Sequence, residues 1–300
     1  MVPWLLWMPL LLSGGAYADS RVAAPVPRVD PTPAAAPGLV APVRVALMPG
    51  KRLLVSDYRA EAINVVDQRD LSVQWTFPIA GKPVAIAWGL GRIFVGNETE
   101  GRVEAYNFHG HLMTTYGAPG SILLPNAVAV DTESSQVLVL DAFEKVIKVF
   151  ALDGTFLYPL TQAGALENPS AMTFDPARRL VLVSDFGGFS DNMFARRGAL
   201  VRYFDLSGNE QFRFSGTFIR PQGLSVDGFG RLYVVDSYKS QVQVLDAASG
   251  ALLGLLGGPG SGPGSLNLPL DVVYSPDADK LYVTDNQNGR IATFERWVTP

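Results

Sequence analysis

The chain has 300 residues, is 48% hydrophobic and 17% charged, carries a net charge of −4 and contains no cysteine. Without a thiol it can hold no disulfide framework, thiol nucleophile, zinc-thiolate site or iron–sulfur cluster, and its mild acidity has the wrong sign for a duplex nucleic-acid binder. Its 30 glycines and 22 prolines favour many short strands joined by turns over long helices.

Residues 1–18 hold an apolar run from Trp4 to Leu12, then Ser13-Gly14-Gly15 and the small–x–small pair Ala16 and Ala18. The run is short for a bilayer span, which takes about 20 apolar residues. It predicts an export signal cleaved before Asp19, although no lysine or arginine precedes it. No cysteine follows the small residues, so no lipid anchor is indicated, and no later segment reaches spanning length. Residues 19–41 are rich in proline and alanine, a composition suited to extended backbone and edge positions rather than a helix or central strand.

From residue 42 onward one unit recurs: a proline, an apolar strand, a turn, a second strand ending in Asp or Asn, then a third strand. The second strand reads LLVSD to Asp57, IFVGN to Asn97, VLVLD to Asp141, VLVSD to Asp185, LYVVD to Asp236 and LYVTD to Asp285. The leading prolines are Pro42, Pro83, Pro125, Pro169, Pro221 and Pro269, and the third strands are INVVD, RVEAY, VIKVF, LVRYF, QVQVL and RIATF. A fourth run follows in most units, as in GTFLYPL and GALLGLL. Four strands in about 45 residues is the mark of a propeller blade, because such a sheet buries both faces only between neighbours in a ring. The expected fold is all-β, a six-bladed β-propeller of four-stranded antiparallel blades over residues 42–300. The sixth blade is expected to have three strands. Residues 24–30 are either its closing edge strand or plain linker.

These units resemble NHL repeats. The fifth carries the resemblance best, in Pro221-Gln222-Gly223-Leu224-Ser225-Val226-Asp227 and Arg231-Leu232-Tyr233-Val234-Val235-Asp236-Ser237. The sixth adds Leu281-Tyr282-Val283-Thr284-Asp285-Asn286 and Gly289-Arg290-Ile291. The second unit departs, with Gly96-Asn97 in place of the acid and Val84 in place of glycine. The resemblance implies that the proline loops and the loops after each Asp share one face of the ring, around the channel mouth. It does not fix an activity, since propellers host many.

Six-bladed relatives of the gluconolactonase type hold a divalent cation at that mouth with Glu, Asn and Asp. The corresponding residues here are Val43, Val84, Asn126, Ser170, Gln222 and Leu270, with Asp271 one residue further on. None of the six is a carboxylate, and calcium takes six to eight hard oxygen ligands, so no metal is expected. Amidating lyases of similar fold use three histidines for zinc. This chain has two, His109 and His111, in a turn that reads as a solvated hairpin tip. No catalytic group is assigned and no cofactor is expected. The repeated Asp residues read as structural, each accepting backbone N–H bonds at the bend after a second strand.

Aromatic residues follow those acids: Tyr58, Phe143, Phe186 and Tyr238, with Arg59, Lys145 and Lys239 close by. The fourth unit carries an insertion containing Phe189, Arg196 and Arg197. Such a set either caps the blade gaps or forms a contact surface, where aromatics, Met and Arg are enriched. The sequence therefore points to an exported, non-enzymatic, monomeric propeller, periplasmic, at the cell surface or extracellular. It would bind a protein through Tyr58, Arg59, Phe143, Phe186, Phe189, Arg196, Arg197, Tyr238 and Lys239, with no nucleic acid and no membrane span after cleavage. The alternative is a hydrolase or lyase with a site at the mouth formed by Asn126, Ser170, Gln222 and Asp271.

Overall fold

The computed structural model describes residues 38–187 and 198–298. The expected export signal, the 24–30 segment, Phe189, Arg196 and Arg197 lie outside the described residues. Blade 1 comprises β1 (Pro42–Met48), β2 (Arg52–Asp57), β3 (Ala62–Asp67) and β4 (Val73–Pro78). Blade 2 comprises β5 (Pro83–Gly89), β6 (Arg92–Asn97), β7 (Arg102–Tyr106) and β8 (Leu112–Tyr116). Blade 3 follows as β9 (Pro125–Asp131), β10 (Gln136–Asp141), β11 (Val146–Ala151) and β12 (Phe156–Pro159). Blade 4 is β13 (Pro169–Asp175), β14 (Leu180–Asp185), β15 (Leu200–Asp205) and β16 (Glu210–Ser215). Blade 5 is β17 (Pro221–Val226), β18 (Arg231–Asp236), β19 (Gln241–Asp246) and β20 (Leu252–Gly257). Among the described residues blade 6 has three strands, β21 (Pro269–Ser275), β22 (Lys280–Asp285) and β23 (Arg290–Glu295). Every blade is an antiparallel meander in chain order.

Each predicted proline opens the innermost strand of its blade. These six strands ring the axis, with β1 lying against both β5 and β21. The core is divided among the gaps between blades, as a sheet with two apolar faces requires. Leu54, Ile63 and Val65 of blade 1 pack on Ile86, Ile93 and Val95 of blade 2. The ring closes where Leu53, Val55 and Val66 meet Tyr282 and Ile291 of blade 6. Burial of each such side chain contributes about 1.5–3 kcal/mol. Outer strands are far more exposed, and all of β12 is open to solvent. After β23, Trp297 folds back over blade 5 and lies where a Cβ on Gly254 would stand, 2.1 Å from the nearest ring atom.

The repeated acids hold the proline loops. Asp57 accepts the N–H groups of Val40 and Ala41, Asp141 those of Leu123 and Leu124, Asp185 those of Glu167 and Asn168, and Asp236 those of Ile219 and Arg220. Asp285 accepts from Asn267. The residue after Asp57, Asp141, Asp185 and Asp236 donates its own N–H back to the proline loop, as Tyr58 does to Ala41 and Ser237 to Arg220, and in blade 6 Gln287 donates to Asn267. Both sets of loops therefore lie on one face, called here the proline face.

Blade 2 reverses this polarity. Asn97 Nδ2 donates to the Ala80 carbonyl at 3.1 Å and to Glu104 Oε2 at 3.2 Å. The carboxylate missing from the end of β6 has moved to the next strand, where Arg102 and the Tyr106 hydroxyl satisfy the buried Glu104.

Candidate functional site

The channel mouth on the proline face is built from an irregularity shared by all six inner strands. Each breaks register with its neighbour next to the opening proline, as between Pro42 and Arg44, Pro83 and Ala85, Pro169 and Ala171, and Pro269 and Asp271. A bulge of this kind leaves a residue outside the ladder and re-aims its carbonyl. Buried carbonyls need donors. Here the carbonyls of Val43, Val84, Asn126, Ser170, Gln222 and Leu270 all find them without solvent.

One side chain satisfies four of these carbonyls. Arg44, buried on β1, donates from Nε to Val84 O at 3.2 Å and from Nη1 to Leu270 O at 3.5 Å. Its Nη2 donates to Asn126 O at 3.1 Å and Ser170 O at 2.7 Å. The guanidinium thus ties blade 1 to blades 2, 3, 4 and 6 and stops the channel. Ser184 Oγ donates to Gln222 O at 2.7 Å and Thr284 Oγ1 to Val43 O at 3.1 Å, completing the ring.

Room for the guanidinium comes from the residues equivalent to Arg44 in the other blades. These are Ala85, Ala127, Ala171, Gly223 and Asp271, so four of the six inner strands present a small residue. A Cβ on Gly223 would lie 1.9 Å from Asp271 Oδ1, which explains why glycine is required there. Asp271 is the countercharge to Arg44 and accepts the Val45 N–H at 3.0 Å. Burial pushes its carboxyl up to about 6, against the pull of Arg44, while burial lowers Arg44 from the ordinary arginine value.

The predicted mouth residues are brought together, with the side chains of Asn126 and Ser170 bound to neighbouring carbonyls. Asn126 Nδ2 donates to Ser170 O at 2.6 Å, and Ser170 Oγ donates to Pro221 O at 2.6 Å. Asp271 lies one layer deeper, beside a void of about 30 Å³ beneath the guanidinium. Among the described residues no group of three His, Cys, Asp or Glu is placed to hold a metal. His109 and His111 are exposed at the hairpin between β7 and β8, on the far face, where Asn107 Oδ1 accepts both of their N–H groups.

The aromatic residues after the acids fall into two kinds. Tyr58 is half-buried: Lys82 lies 5.2 Å from its ring centre, and a hydrogen bond to Glu98 holds its phenol above the usual value. Phe186 is also half-buried, packed on the core between blades 4 and 5 under Arg220. Phe143 and Tyr238 are more open, 69% and 61% exposed. Arg220 stacks on Tyr238 as well and reaches its hydroxyl at 3.3 Å. Arg59 is exposed, and Lys239 donates to the Thr217 carbonyl.

Sequence reasoning overlooked Leu123 and Ile219, which are 43% and 45% exposed on the same face. Both stand two residues before a proline, as Val40 does, and their N–H groups are held by the blade acid. An apolar residue at one place in three loops, outside any strand alternation, was the available signal. A groove of about 560 Å³ lies at the rim between blades 2 and 3, where Lys148 in its wall is paired with Glu144 and Asp141.

The ring of inner strands, the inter-blade cores and the stopped channel define a six-bladed β-propeller. No protein-family model matches the chain. A structural genomics protein of unknown function from Bacteroides thetaiotaomicron VPI-5482 superposes with a TM-score of 0.67 at 16% identity, over 90% of this chain and 73% of that one. Kuenenia stuttgartiensis hydrazine synthase gives a TM-score of 0.65 at 13% identity, over 88% and 97% respectively. A chain of a nidogen/laminin complex gives 0.61 at 17% identity, over 81% and 93%. At these identities the likeness is one of fold.

Proposed function

We propose that this protein is an exported, NHL-type propeller that acts as a protein-interaction scaffold at the cell envelope or outside the cell, with its proline face as the contact surface. The observation that carries this reading is the set of large hydrophobic side chains exposed on blades 3 and 5 of that face: Leu123, Phe143, Ile219 and Tyr238. Aromatic side chains such as Phe143 and Tyr238 are enriched at the cores of protein interfaces. Arg220, stacked on Tyr238 and on the half-buried Phe186, adds a cation to the blade 5 part of this surface. A chain of similar fold in a nidogen/laminin complex is in keeping with this role. The mouth offers less to a lactonase- or lyase-like reaction, because a fixed guanidinium occupies the axis and Asn126 and Ser170 are spent on neighbouring carbonyls.

The test replaces both exposed aromatics, Phe143→Glu with Tyr238→Glu, and compares capture from native envelope and secreted fractions. Any protein retained by the wild type is then purified and titrated against both forms. The reading requires the double variant to bind that protein at least about tenfold more weakly with an unchanged melting temperature, since hot-spot side chains carry at least that much. Equal binding by the two folded forms would overturn it.

A further inference from the structure

The channel is stopped at the proline face but open at the other. Beyond Arg44 the inner strands enclose a cup of about 420 Å³, reaching the turns after β9 and β13 on the far face. Its walls include Leu47, Trp88, Val130, Phe174, Leu224 and Val273. Among the residues lining it, Asp271 is the sole charged one. Asp271 also borders the small void under the guanidinium, so it forms the floor between the two spaces. We infer that this far-side cup is a binding site for a small apolar amine, whose ammonium group docks on the Asp271 carboxylate while its hydrocarbon body fills the cup.

Three features select this class. The volume falls in the range of small-molecule sites, about 300–1,000 Å³, and the lining mixes apolar side chains with those of Thr132, Thr173 and Ser225 around a single charge. The carboxylate has acceptor capacity to spare, because a carboxylate offers about four lone-pair positions and the donors that reach it are the backbone N–H groups of Val45 and Val272. Arg44 acts on it through charge alone, its own donors being committed to the carbonyl ring. An anion entering the cup would meet the carboxylate first and be repelled, and a neutral molecule would forgo the charge-assisted bond. Trp88 and Phe174 add aromatic faces of the kind that attract cations.

The charged group facing Asp271 is Arg44 on β1; β17 presents Gly223 beside it, and β22 presents Thr284, whose hydroxyl takes the Asp271 N–H. Ammonium binding should therefore weaken as pH falls through about 6 and the carboxyl takes up its proton.

The probe is phenethylamine, titrated into the purified full chain with tryptophan fluorescence and melting temperature as readouts, beside 2-phenylethanol and 3-phenylpropionate. The expected result is saturable binding of the amine at about pH 8, with the alcohol and the acid at least about tenfold weaker, the worth of one charge-assisted hydrogen bond. Affinity for the amine should drop as the pH is lowered toward about 5, and the fluorescence change should vanish in Trp88→Phe. Asp271→Asn should abolish the preference for the amine. Because that change also disturbs Arg44, Ala87→Phe, which narrows the cup from its wall, serves as a second variant and should lose binding while keeping its melting temperature. No saturable amine binding, equal affinity for amine and alcohol, or a pH-independent affinity would overturn the inference.

Discussion

Replacing Arg44 with methionine keeps an unbranched stem but stops short of the guanidinium and removes every donor. The Val84, Leu270 and Asn126 carbonyls lose the guanidinium bonds described above, whereas Ser170 O keeps Asn126 Nδ2 at 2.6 Å. Asp271 loses its countercharge while remaining buried. Removing one member of a buried charged pair costs about 3–5 kcal/mol, and each orphaned carbonyl adds about 1–3 kcal/mol unless water reaches it. The void beneath the guanidinium opens toward the cup, so water will enter and cap some carbonyls, which holds the total near the lower range, about 3–5 kcal/mol. For a ring of this size that corresponds to a fall in melting temperature of about 6–20 °C.

The assay is calorimetry at about pH 8 and about pH 5. The Asp271 carboxyl stands at about 6, above its ordinary 3.8, so its contribution to stability is fully present below 3.8 and is lost as pH rises through 6. Without Arg44 its value rises further, and protonation then relieves the variant more than the wild type. The deficit of Arg44→Met should thus be larger at the higher pH. A melting temperature within about 2 °C of wild type, or a deficit that grows on acidification, would refute the view that this side chain holds the ring together.

Three further outcomes follow from the same geometry. Asn97→Asp, which restores the acid found in the other blades, should destabilise by about 1–3 kcal/mol in chemical denaturation, since the new carboxylate faces Glu104 and the Ala80 carbonyl; a neutral or stabilising effect would contradict this. Gly223→Ala should cost about 1–3 kcal/mol, because the added methyl would stand 1.9 Å from Asp271 Oδ1 and 2.5 Å from its Cα; an unchanged denaturation midpoint would show that Asp271 lies elsewhere. Asp271→Asn should remove one titration, so that wild-type stability relative to the variant declines by about 2–3 kcal/mol between about pH 4 and pH 8; parallel pH profiles would show that burial does not raise this carboxyl.

The strand plan was legible because it is local. Pro42, Pro83, Pro125, Pro169, Pro221 and Pro269 each open an inner strand as the repeat indicates, and the three described strands of blade 6 follow from the same count. The stabilising work of Asp57, Asp141, Asp185 and Asp236 was also readable, since a short acid at a fixed bend has nearby N–H groups to accept. Arg44 was not, because its acceptors stand 40 to 226 residues away and meet only when the ring closes. Aligning the six inner strands exposes the clue in hindsight: four small residues leave a space that Arg44 and Asp271 fill. The post-acid aromatics looked equivalent in sequence, yet Tyr58 and Phe186 find neighbours across a blade gap and Phe143 and Tyr238 do not. That difference depends on which loop faces each ring, and no single blade encodes it.

Central to the ring is the occupation of the channel mouth by the Arg44 guanidinium. It is tested most directly by purifying the native chain, measuring bound divalent metal, and recording melting curves before and after chelation. The expected result is no stoichiometric calcium or zinc and superimposable curves. Stoichiometric metal with a melting temperature that falls on chelation would contradict it and return the mouth to the candidates for chemistry.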